Sequence, residues 1–128
     1  MSRTTRTLGT GATLALTATA LLAGAGAASA DTYTTQPLSP GASTCVSQSA
    51  NYQVRGDGTA TGGGARFKLL RNGVVLDATT GRVTNWADER RTSYGSFPGA
   101  GSYSVCAYNT GTTTTTVYLR IRTDGELG

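Results

Sequence analysis

The chain contains no histidine. That removes the Ser–His and Cys–His bases of many hydrolases and the imidazole ligands of most transition-metal sites. Lysine occurs once, at Lys68, and no serine is marked as its partner. The acids Asp57, Asp77, Asp88, Glu89, Asp124 and Glu126 fit no paired-carboxylate spacing and no calcium loop. The stretch from Asp57 to Gly64 lacks the spacing and helix context of a phosphate-binding loop. The sequence therefore predicts no catalytic residue, no cofactor site and no metal site, and hence a protein that is not an enzyme. No uninterrupted apolar run approaches the roughly 20 residues a membrane helix needs.

What is present begins with a leader. Arg3 and Arg6 are basic, Leu14 to Ala28 is uncharged and rich in Ala and Leu, and Ala28-Ser29-Ala30 is a small-residue exit. This order predicts a secretory signal peptide over residues 1–30, a mature start at Asp31 and an extracellular location. Without Arg3 and Arg6, nine basic side chains face seven acids, a net charge of +2. That is too small to imply a nucleic-acid partner. No membrane contact is expected once the leader is gone.

Cys45 and Cys106 are the only cysteines. In an exported chain two cysteines usually pair. Neither close spacing nor a histidine supports a metal or redox site. Closing a loop of about 60 residues is worth about 4 kcal/mol in the chain-entropy picture.

From residue 45 to residue 124 the chain reads as short strands between turn residues, without a helical period. Asn72-Gly73 between apolar runs signals a two-residue hairpin, since a type I′ turn needs positive φ at both central positions. Tyr103, Val105 and Ala107 share one face of a strand, Cys106 and Tyr108 the other. In the last strand Val117, Leu119 and Ile121 alternate with Tyr118, Arg120 and Arg122. The glycine-rich run RGDGTATGGGA is read as a loop, and ADERR as a charged turn.

The pattern predicts an all-β fold, a small antiparallel β-sandwich or jelly roll of about seven or eight strands with one disulfide. The expected core is Val46, Tyr52, Val54, Phe67, Leu69, Val75, Leu76, Val83, Trp86, Phe97, Tyr103, Val105, Val117, Leu119 and Ile121. Residues 125–128 are expected to be a short tail.

Two features stand out as candidate partner-binding sites. Tyr118, Arg120 and Arg122 form an outward row, and Tyr and Arg are favoured interface anchors. The second is residues 31–44, polar and carrying Pro37 and Pro40, which forbid a helix. This stretch is expected to be extended, with backbone groups free to add to a partner's sheet. Tyr33, Thr34, Thr35, Gln36, Pro37 and Leu38 would make the contact, with Tyr33, Pro37 and Leu38 filling pockets.

The segment FPGAGSYSVCAYNTGTTTTTVYLRIRT resembles the closing hairpin of small exported bacterial jelly-roll domains, such as the pre-peptidase C-terminal type. The Ala-rich leader and the preference for Arg over Lys look like an actinobacterial protein. The layout of leader, extended N-terminus and single β-body is similar to the adaptor subunits of umbrella toxin particles. That resemblance implies an adaptor that inserts its N-terminus into a lectin subunit and holds a large toxin subunit with its body. The reading is thus a secreted, non-catalytic protein–protein adaptor. The alternatives are a glycan or cell-wall binding module using Tyr94, Tyr108 or Tyr118, and a protease inhibitor presenting a loop at Asp88 to Arg91.

Overall fold

A computed structural model of the chain describes residues 30–128. The leader expected over residues 1–30 lies outside them, except for Ala30. Eight strands form: β1 (Asp31–Leu38), β2 (Ser43–Ala50), β3 (Gln53–Ala60), β4 (Arg66–Arg71), β5 (Val74–Ala78), β6 (Asn85–Arg91), β7 (Gly101–Tyr108) and β8 (Thr115–Thr123). They make two four-stranded antiparallel sheets, in the orders β1-β8-β3-β6 and β2-β7-β4-β5. β1 pairs with β8, β2 with β7, β3 with β6 and β4 with β5. This nesting arises when one long hairpin rolls up on itself, and the β3–β8 and β4–β7 contacts close the roll. The fold is a jelly-roll sandwich, as the strand pattern predicts.

The innermost hairpin turns at Asn72-Gly73, where φ is 49° and 84°. Both values are positive, as a type I′ turn requires. Val117, Leu119 and Ile121 point inward from β8, and Tyr103, Val105 and Ala107 from β7; all six are fully buried. Leu38, Val46, Val54, Phe67 and Leu69 fill the space between them. Burying one such large side chain is worth about 1.5–3 kcal/mol.

The disulfide joins Cys45 to Cys106 directly across β2 and β7, with a Cα–Cα distance of 4.1 Å. Asn109 donates to the Ala42 carbonyl, so the hydrogen-bonded pairs of this ladder fall on the alternate set Ala42, Thr44 and Val46. The bridge therefore occupies a non-hydrogen-bonded pair, where strands approach most closely. It faces outward and staples an edge strand to its neighbour rather than one sheet to the other.

Several expectations are corrected. The glycine-rich run starts not as a loop but as β3, a central strand. Gly56 and Gly58 are buried there because aromatic rings lie on them. A Cβ at Gly58 would meet Phe67 Cδ1 at 2.5 Å, and one at Gly56 would meet Val105 Cγ2 at 2.5 Å. Glycine in a strand interior marks such a close approach. Phe67 and Trp86 stack with centroids 5.8 Å apart. Only Thr61 to Gly64 turn the chain.

The stretch Asp88–Arg91 is strand too, part of β6. Its charges fit an edge strand, which natural sheets protect with charged side chains. Tyr52 and Val75 are half exposed and outside the core. Leu76, Val83, Trp86 and Phe97 pack against the core while only partly buried.

The ends are corrected as well. Residues 31–38 are not a separate extended segment but β1, paired along its whole length with β8. Residues 125–128 are not a loose tail. Asp124 to Leu127 make a 3-10 turn, and Asp124 accepts hydrogen bonds from the backbone N–H groups of Asn51 and Tyr52, each at 2.9 Å. Arg91 donates to the carbonyl of Leu127 at 3.1 Å. Buried Asn109 ties the opposite end of the sandwich. Its Nδ2 donates to the carbonyls of Leu38 and Thr113, both at 2.8 Å, and its Oδ1 accepts from Gly111 N–H.

Candidate functional site

The outer face of the β1-β8-β3-β6 sheet gathers most of the residues singled out in the sequence. Because side chains alternate along a strand, Asp31, Tyr33, Thr35 and Pro37 of β1 share this face with Tyr118, Arg120 and Arg122 of β8. Tyr33 is 66% exposed. Its ring lies 6.2 Å from that of half-buried Tyr118. Thr34 points the other way, half-buried, and its hydroxyl accepts a hydrogen bond from Gln36 Nε2 at 3.2 Å. Leu38 is 3% exposed and belongs to the core. Its side chain is taken up by the chain's own core rather than presented outward, and its carbonyl is held by Asn109 at the end of the sandwich.

The arginines of the row are already engaged. Arg120 grips Asp31 through two hydrogen bonds, Nε to Oδ1 at 2.9 Å and Nη2 to Oδ2 at 2.6 Å. The Arg120 guanidinium holds the Asp31 carboxyl below its ordinary value, and Asp31 raises Arg120 in turn. Arg122 reaches Asp57 at 3.3 Å, and Asp57 also meets Arg55 at 2.9 Å. Arg55 continues to Glu89 at 3.0 Å, and Glu89 to Arg91. Hydrogen bonds from Arg91 and then Arg55 hold the Glu89 carboxyl low. These half-exposed side chains alternate in sign across the sheet and fix one another's rotamers. A partner would meet guanidinium groups already ordered, which lowers the entropic cost of contact.

Sequence reading missed Asp31, Arg55, Asp57, Glu89 and Arg91 as members of this network. A signal existed. Opposite charges two residues apart, in Arg55-Gly56-Asp57 and Glu89-Arg90-Arg91, share one face of any strand.

The edge of this sheet supplies a second element. Thr123 donates its N–H to the carbonyl of Ala30 at 2.8 Å, the residue opposite it in register. Antiparallel ladders alternate, so Thr32, Thr34, Gln36 and Leu38 turn their backbone groups toward β8. Tyr33 and Thr35 turn theirs to the other side, where no strand pairs with β1 among the described residues. Pro37 falls on this outward set, so its missing N–H removes no ladder bond.

The residues of the alternative readings are scattered. Tyr118 lies on this face, and Tyr108 on the outer face of the other sheet beneath Lys68. Tyr94 lies in the Thr92–Tyr94 turn, 5.5 Å from the Arg91 guanidinium. The three build no common sugar platform. Asp88 to Arg91, regular strand with Asp88 paired to Arg90 at 3.1 Å, offer no protruding bait loop. Among the described residues no three of His, Cys, Asp and Glu gather as a metal site would require, and no helix is long and apolar enough to cross a membrane. No family model matches the chain, and no curated protein matches it.

Proposed function

We propose that the protein is an exported, non-catalytic adaptor that binds other secreted proteins through the open edge of β1 and the Tyr33–Tyr118 face beside it. The observation that carries this reading is the outward-turned backbone of Tyr33 and Thr35 on an eight-residue edge strand, flanked by an exposed tyrosine. Main-chain groups of this kind accept a further strand, and neighbouring side chains select it. Tyrosine and ordered arginine are the residue types that carry interface energy. The N-terminal segment thus acts as a template within its own sheet, rather than leaving that sheet to enter a partner. In an assembly of the umbrella-toxin kind, this edge meets one subunit and the remaining body surface another.

The test is affinity capture from culture supernatant with the tagged protein and two variants. Thr35→Pro deletes an outward N–H without touching the β1–β8 ladder, and Tyr33→Ala removes the exposed ring. The wild type is expected to recover a larger secreted protein. Thr35→Pro is expected to lose it, and Tyr33→Ala to weaken its binding by about 2 kcal/mol or more. Recovery of monomer alone, or of the same partner undiminished by Thr35→Pro, overturns the reading.

A further inference from the structure

We infer that the outer face of the β2-β7-β4-β5 sheet carries a binding site for an oxyanion group borne on an extracellular polymer. The site is a shallow cavity of about 120 Å³ lined by Arg66, Lys68, Tyr108 and Thr110. Arg66 and Lys68 are two apart on β4 and point the same way. Arg66 stands opposite Tyr108 on β7, and Lys68 opposite Cys106. Thr110 completes the rim just beyond the end of β7.

Both cations are positioned, and neither forms an ion pair among the described residues. Lys68 Nζ lies over the Tyr108 ring, 4.7 Å from its centroid. The ring face attracts the ammonium and settles its place but brings no neutralising charge. Arg66 donates Nε and Nη2 to the Thr79 carbonyl, at 3.1 and 2.8 Å. That clamps the guanidinium plane and leaves both Nη1 hydrogens unspent. A further guanidinium, that of Arg82, lies against Gly111, the chain neighbour of Thr110.

The acids are elsewhere. Asp31, Asp57, Asp88 and Glu89 are paired on the other sheet, and Asp124 holds the turn between β2 and β3. Asp77, the one acid on this sheet, accepts from Trp86 Nε1 at 3.3 Å. Two of the cations without an ion pair, Arg66 and Lys68, thus line one cavity from which these acids are absent. Its volume suits a single phosphate, sulfate or carboxylate, well below the size of a drug-sized ligand's pocket. A planar guanidinium and an ammonium lining one small cavity are a fitting donor set for such a group. A repeating anionic polymer would present the group many times and gain from rebinding.

Titration of the purified protein, followed by amide and side-chain NMR shifts, tests the site with three probes: inorganic phosphate, a short poly(glycerol phosphate) and an oligogalacturonate. Saturable shifts are expected at Arg66, Lys68, Tyr108 and Thr110, with a polymer binding more tightly than inorganic phosphate. Stronger binding of the phosphodiester chain assigns the group as phosphate, and stronger binding of the uronate assigns it as carboxylate. Lys68→Gln should weaken the preferred polymer about tenfold, and Arg66→Gln with Lys68→Gln should abolish saturation. Arg71→Gln, on the same strand but at its far end beside Gly99, should leave affinity unchanged. Shifts that never saturate, or that survive the double variant while Trp86 fluorescence reports an intact fold, overturn the proposal.

Discussion

Asp31 Oδ2 accepts a hydrogen bond from Arg120 Nη2 at 2.6 Å across 89 residues of chain. The pair fastens the first strand of the roll to the last. It also explains why a polar N-terminal stretch is not left loose: besides its ladder bonds, it is held by a charged clasp at one end and by Asn109 at the other.

The clasp depends on pH. Asp31 and Glu89 both titrate lower in the folded protein than their ordinary values of 3.8 and 4.5. Their contribution to stability is complete above those ordinary values and is lost as pH falls through the depressed ones. Stability should therefore drop below about pH 4, and only modestly, because both pairs are open to solvent and screened by it. Urea midpoints at pH 6 and pH 3 measure this. Asp31→Asn should lose less on acidification than the wild type, and added salt should narrow the gap. An acid loss of the same size in both proteins would exclude the clasp as a contributor.

Leu38 and Tyr33 should part company. Leu38→Ala opens a cavity in the core and should cost about 2–4 kcal/mol of unfolding free energy. Tyr33→Ala removes an exposed ring and should stay within about 0.5 kcal/mol. Urea unfolding followed by Trp86 fluorescence reads both. Equal losses would mean that the end of β1 is not anchored through Leu38.

Gly58 should resist even a methyl group. Gly58→Ala pushes against Phe67, which is itself stacked on Trp86, so relief requires moving two rings. A loss of about 1–3 kcal/mol is expected from such overpacking. Gly81→Ala, with open space around it and ordinary backbone angles, serves as the control and should change stability by less than ~0.5 kcal/mol. A tolerant Gly58 would argue against the tight ring contact.

The legible parts of the fold are those where one physical signal acted alone. Val117, Leu119 and Ile121 alternate with polar residues because one face of β8 is buried and the other wet. Asn72-Gly73 announces its turn through the positive φ that few other residues tolerate. The strands that escaped notice lack these signals. β3 is central, yet its inward positions include glycines, because Phe67 and Trp86 supply the bulk that its own side chains would otherwise provide. β6 is an edge strand, and its charges serve the neighbouring strand rather than a turn. β1 hides its one anchor, Leu38, behind a proline and a run of polar residues. The candidate face was half visible for the same reason: the row on β8 follows from alternation, but its carboxylate partners come from two other strands, β1 and β3, and only the topology brings them together.

The nesting of the strands also sets a schedule. β8, the last strand to emerge from the ribosome, lies between β1 and β3, and β7 lies between β2 and β4. Only the β4–β5 hairpin and the β3–β6 pair join strands made before Gly101. A chain made from its N-terminus therefore keeps β1 and β2 without their sheet partners until nearly its whole length has emerged. The winding order itself thus delays closure of the roll until the last two strands are present, and Cys45 can meet its bridge partner Cys106 only once β7 has been made.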